Sequence, residues 1–190
     1  MKRFLLTLIV ASVGLTSCKD ASPQWKQVDP KDIKENSVSL FADKWAIVTA
    51  GTPDNFNMMT ISWGTLGHLW NKPVAFCFIR PQRYTYEFTE RETTFTISFF
   101  DESYRDVLSY IGSHSGRNED KVKASGLTPK VLSSGNITFE EARMVIECKK
   151  TYADFFREEN FIDADVIGES YPQFDFHKMY VGEITNVWKK

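Results

Sequence analysis

The chain has 190 residues, which is enough for one domain with its own core and too few for several. Its 23 basic and 25 acidic side chains nearly cancel and form no block of like charge, which argues against nucleic acid as a partner. The three cysteines form no CxxC pair, and His68, His114 and His177 are too scattered for a metal site. No Ser/His/Asp or Cys/His set has hydrolase spacing.

The first residues read as an export leader. Lys2 and Arg3 precede an apolar run, Phe4 to Val13, that is too short for a spanning helix of about 20 residues. Leu15-Thr16-Ser17-Cys18 then fits the bacterial lipobox, in which small residues precede a cysteine that becomes acylated. The expectation is a signal peptide over 1–17 and lipidation at Cys18. The mature protein would be exported and anchored on the periplasmic face of the cytoplasmic membrane or on the outer membrane, by several acyl chains because one alone binds only marginally. An ordinary secretory signal followed by an unrelated cysteine is the other reading. Removal of 1–17 leaves 173 residues, with 21 basic against 25 acidic side chains. Residues 18–37 are polar, with Pro23, Pro30 and only Trp25, Val28 and Ile33 as apolar interruptions. They are expected to be a tether, and 38–190 the domain.

Trp45 to Ala50 is a β-rich run, Thr52 to Asn55 carries turn chemistry, and Asn57 to Trp63 resumes as a strand, so the three predict a hairpin. Pro73 to Ile79 is a near-continuous apolar strand ending at Arg80-Pro81, and Thr85 to Arg91 a short helix. In Thr93 to Phe100, Phe95, Ile97 and Phe99 alternate with Thr94, Thr96 and Ser98, the period of a strand. Asp101 to Ile111 has helical spacing. A loop of small and polar residues follows from Gly112 to Asn118, then a short helix over Glu119 to Ala124 that closes at Gly126. Four further strands are expected at Ile137 to Glu140, Ala142 to Tyr152, Phe161 to Gly168 and Met179 to Trp188. About eight short strands with two or three short helices predict a mainly β fold, a closed or split antiparallel barrel. Cys77 and Cys148 fall in apolar strands and read as buried thiols, while their spacing leaves open whether they pair.

Two stretches carry chemistry. On a strand, Met58, Thr60 and Ser62 share one face of Asn57 to Trp63, while Met59, Ile61 and Trp63 share the other. Short hydroxyls in a row suit the polar edge of a flat aromatic ligand with apolar surface on its faces; an amphipathic strand with a wet Thr/Ser side accounts for the same pattern. Between strand and helix, Arg80-Pro81-Gln82-Arg83-Tyr84-Thr85 brings two guanidinium groups to a helix start that Thr85 can cap, and such a start favours anions. Asp163 and Asp165 read as solvated charges on one face of a strand. Phe155-Phe156 and Phe174 to Phe176 read as core or interface residues, an aromatic lid being the alternative.

These segments, with Ser115 to Lys121, Glu147 to Lys149 and His177 to Ile184, occur in the order in which they resemble the flavin reductase-like proteins with an FMN-binding split barrel, flavoredoxin among them. The resemblance covers roughly Phe41 to Trp188. It implies a homodimer with FMN near the subunit interface. Asn57, Met59, Thr60, Ile61, Ser62 and Trp63 would then hold the ring, Arg80, Arg83, Tyr84 and Thr85 the phosphate, and Lys121 would approach the flavin. It also implies electron transfer from NAD(P)H to flavin or another acceptor, with the cofactor performing the chemistry and no catalytic side chain required. A lipobox is unusual in such a family, and NAD(P)H is scarce outside the cytoplasm. A membrane-tethered flavoprotein electron carrier, or a non-catalytic module for a planar ligand such as haem or F420, therefore stand as alternatives.

Overall fold

The computed structural model describes residues 24–190; the expected signal peptide and the acylation site at Cys18 lie outside them. Ten strands and five helices run β1 (Lys26–Val28), α1 (Ser37–Ala42), β2 (Ala46–Thr52), β3 (Asn55–Ile61), β4 (Gly64–Leu69), β5 (Lys72–Ile79), α2 (Tyr84–Arg91), β6 (Thr94–Phe99), α3 (Arg105–Ser113), α4 (Lys121–Ser125), β7 (Pro129–Val131), β8 (Ile137–Phe139), β9 (Met144–Phe155), α5 (Asp165–Ser170) and β10 (Lys178–Lys189). Eight strands form one antiparallel sheet in the order β3-β2-β6-β9-β10-β5-β4, with β1 added to β10 and β7-β8 as a separate ribbon. Because β3 and β4 are consecutive in the chain yet end the order on opposite sides, the curled sheet is a barrel split between them, bridged by Ser62 and Trp63.

The alternation read in β6 explains its central place. Phe95, Ile97 and Phe99 are buried inside the barrel with Phe41, whose ring meets that of Phe99 edge-on at 5.5 Å. Each such side chain contributes about 1.5–3 kcal/mol of burial. The polar face of β6 is buried too, and its hydroxyls are all used. Thr94 donates to Asn136 at 2.7 Å, Thr96 donates to the carbonyl of Ile137 at 2.6 Å, and Ser98 bonds Thr138 at 2.9 Å, seating β8 on the sheet. A second core lies outside the barrel, where Ile47 and Met58 from the other strand faces meet Leu108 and Ile111 of α3 and Phe139 of β8.

Several expectations change. Phe161 to Gly168 is not a strand: a 3-10 turn at Glu158–Asn160 and the helix α5 occupy that region, so Asp163 and Asp165 sit in a loop and at a helix start. The apolar residues Phe161 and Ile167 imitate a strand, but Phe161 packs on Phe156, Tyr171 and Phe176 within the β9–β10 connection. The strand β4 was hidden by Gly64 and Gly67, and its hairpin turn is Trp70-Asn71, both at positive φ as a two-residue reversed turn requires. The supposed tether is structured from Trp25 onward. Trp25, Val28 and Ile33 pack on the two cores, and β1 pairs with residues 187–189 of β10. Cys77 and Cys148 are free and buried on β5 and β9, with β10 between them.

Candidate functional site

Two chambers meet at the open edge of β3. The first, about 320 Å³, is lined by Met59 to Trp63 of the β3 end together with Phe78, Arg80, Arg83 and His177. Residues from both faces of β3 reach it because β3 is an edge strand. One edge pairs with β2, and the other presents unpaired N–H and C=O groups beside the chamber. Met59 and Ile61 belong to the barrel core, so they form its apolar floor. Thr60 donates its hydroxyl proton to the carbonyl of Leu108 at 2.6 Å, which leaves only its lone pairs for a ligand. Ser62 is half-buried, and Trp63 is exposed at the rim with its ring 4.8 Å from that of His177.

The second chamber, about 170 Å³, is lined by Asn57, Met59, Gln82 to Thr85, Ser113 to Gly116 and Lys121. Arg83 and Met59 line both, so the chambers are adjacent. Arg83 also donates to the carbonyl of Gly112. Burial, then the charge of Arg80, pulls the Arg83 guanidinium below its usual range. Lys121 is 4% exposed and donates from Nζ to the carbonyls of Ile111 at 2.8 Å and His114 at 3.1 Å. Burial first and Arg83 second bring Lys121 down from 10.5 to about 8, with Glu119 acting the other way. A half-buried Arg83 that depresses the buried Lys121 beside it, at the start of α2, makes a cavity that would be relieved by an anion. The loop above it is held close: a Cβ at Gly116 would lie 2.2 Å from Oδ1 of Asn57, so only glycine lets this loop approach β3. A phosphate ester in the small chamber and a planar ring in the larger one thus fit the residues present.

Three expected residues take other parts: Asn57, expected at the ring, lines only the smaller chamber. Thr85 does not cap α2. The N-cap is Arg83 without a side-chain bond, and the buried Thr85 accepts from Nδ2 of Asn57 at 2.8 Å, tying helix to strand. Arg80 lines the larger chamber and not the smaller one. It pairs with Asp175, donates to the carbonyl of Ser170 at 2.8 Å and lies 5.3 Å from the centre of the Tyr171 ring. Arg80 therefore holds the β9–β10 connection, residues 156–177, against the ring chamber. In that connection Phe156, Phe161, Tyr171 and Phe176 pack on one another, and Phe156 meets Phe78 of the chamber wall at 5.6 Å.

Reasoning from residue patterns missed Phe78, His177 and the Ser113–His114 wall. Phe78 looks like any core residue of an apolar strand. His177 follows an irregular aromatic segment whose path only the tertiary fold decides.

A split antiparallel barrel with a ring-sized cleft and a cationic helix start defines a cofactor-binding β-barrel class. Within that class the chain belongs to the flavin reductase like domain family, which matches residues 38–190. Among similar solved structures is an FMN-binding protein from Thermus thermophilus with bound p-hydroxybenzaldehyde, 24% identical over 77% of this chain and 71% of that one, at a TM-score of 0.61. Flavoredoxin of Desulfovibrio vulgaris (Miyazaki F) is 25% identical over 77% and 69%, at 0.59. An FMN-binding domain of a flavin reductases-like enzyme from Shewanella baltica is 15% identical over 87% and 77%, at 0.64. No curated protein matches the chain.

Proposed function

We propose that this protein is an FMN-dependent oxidoreductase that takes electrons from NAD(P)H and passes them to a flavin or another acceptor. The observation that carries the reading is the pair of adjacent chambers, one ring-sized with an apolar floor and one small and lined by Arg83 and Lys121, neither of which forms an ion pair among the described residues. When bound, FMN would supply the hydride and electron chemistry. This chain's residues would position it. The free edge of β3, the lone pairs of Thr60 and the Ser62 hydroxyl would engage the ring's polar edge; Arg83, Lys121 and the first N–H groups of α2 would engage the phosphate. Tyr84 and Thr85 would hold α2 in place. Exposed Trp63 at the rim, with exposed Phe155 and Phe174 in a separate hollow beside Pro81 and Gln82, supports a homodimer in which a second copy covers this face, with size-exclusion chromatography coupled to light scattering as the check.

The lipobox at Cys18 supports export and lipid anchoring, testable by palmitate labelling and by its loss in Cys18→Ala. It also favours a second reading of the redox role, a tethered electron carrier fed by a partner and not by NAD(P)H. A yellow purified protein with flavin absorbance tests the cofactor. Bleaching of that flavin by NADH or NADPH in stopped flow separates the two roles. A colourless protein that does not take up added FMN refutes both.

A further inference from the structure

The β9–β10 connection does more than cover the ring chamber. Tyr171 is 2% exposed, and its hydroxyl lies 2.9 Å from Nδ1 of His177, itself 9% exposed and a wall of that chamber. Either atom can donate across this contact, yet the two choices are not equivalent. If Nδ1–H donated to the phenol oxygen, the buried phenol proton would have no acceptor, because among the described residues His177 is its sole hydrogen-bond partner. An unmade bond of that kind costs about 1–3 kcal/mol. If the phenol donates instead, both groups are satisfied, and the imidazole proton moves to Nε2, which no described residue engages. Burial, then Arg80, lowers His177 from 6.5 to about 4, against the opposing pull of Asp175, so the ring carries one proton at neutral pH. Burial also raises the Tyr171 phenol, so it keeps the proton it donates.

We propose that Tyr171 fixes His177 with its proton on Nε2, so that the chamber wall offers an N–H donor to an acceptor atom, a carbonyl oxygen or ring nitrogen, of the planar ligand bound there. Tyr171 is then a positioning residue acting through His177 and supplied by the connection that Arg80 pins. The ring of Trp63 against the imidazole limits its swing. Only the identity of the acceptor atom rests on the flavin reading; the tautomer does not.

Long-range ¹H–¹⁵N spectra of the ¹⁵N-labelled full-length chain test it, with His177 told from the other two histidines by a His177→Gln protein. The wild type is expected to show Nε2–H and an unprotonated, hydrogen-bonded Nδ1 at neutral pH. Nδ1–H overturns the proposal whether or not any variant folds. In Tyr171→Phe, which keeps the ring volume, the Nδ1 resonance should move to that of a nitrogen with no donor; an unmoved resonance in a folded variant also overturns it. Riboflavin should shift the Nε2–H signal, and Tyr171→Phe should bind riboflavin about threefold to tenfold more weakly. Calorimetric binding of riboflavin without movement of that signal removes the donor role. Absence of any flavin binding sinks the proposed function and leaves the tautomer result standing.

Discussion

Replacing Lys121 by methionine separates the phosphate from the ring. The side chain keeps its length and loses its charge at a position 4% exposed. A charge-assisted hydrogen bond to phosphate is worth about 1.5–3 kcal/mol, so FMN should bind about tenfold to a hundredfold more weakly while riboflavin is unaffected. Stability without ligand should move little. The drop from 10.5 to about 8 means that holding the protonated amine in place costs about 3 kcal/mol, which the variant recovers. It also leaves the carbonyls of Ile111 and His114 without a donor, at about 1–3 kcal/mol each. The two effects oppose, and the net should lie within about 3 kcal/mol by urea denaturation. The wild type adds a control. As pH rises through 8 the free lysine loses its proton and binding must restore it, so FMN affinity should fall about fivefold from pH 8 to pH 9, and riboflavin affinity should not. Calorimetry with both ligands reads this. Equal losses for FMN and riboflavin, or no loss for either, would refute the assignment of the small chamber to phosphate.

Arg83→Ala should weaken FMN at least tenfold. Arg80→Ala should instead change FMN and riboflavin equally, because it frees the β9–β10 connection; the two calorimetric titrations distinguish them. Gly116→Ala should displace Asn57 and weaken FMN binding with little change in the far-ultraviolet circular dichroism, since the added Cβ meets the Asn57 amide and not the core. His177 makes stability acid-sensitive. The unfolded chain takes up its proton near 6.5 and the folded one only near 4, so stability should decline as pH falls through that window, by about 3 kcal/mol at most, and His177→Gln should flatten the decline seen in denaturant titrations. Burial pushes the Cys77 thiol to about 12 and raises that of Cys148 as well, so Ellman's reagent should reach neither until the chain unfolds.

The barrel was legible wherever burial follows a strict period. Phe95, Ile97 and Phe99 against Thr94, Thr96 and Ser98 declare a strand with one apolar face, whatever its neighbours; that β8 covers the other face only the structure decides. The run from Arg80 to Thr85 likewise announces a cationic helix start by residue type alone. What sequence leaves undecided is which partner each charge finds. Arg80 and Arg83 are three residues apart and look interchangeable, yet one lies beside Asp175, 95 positions later, and the other lines the smaller chamber with Lys121. The hydroxyls of Thr60 and Thr85 were visible as polar groups, but their bonds to Leu108 and Asn57 depend on helices packing across β3. Periodicity records how much of a residue is buried, because that cost is local to the chain. Partners depend on the path the chain takes between segments, so only the closed three-dimensional arrangement assigns Tyr171 to His177, Arg80 to Asp175 and Lys121 to the wall of the smaller chamber.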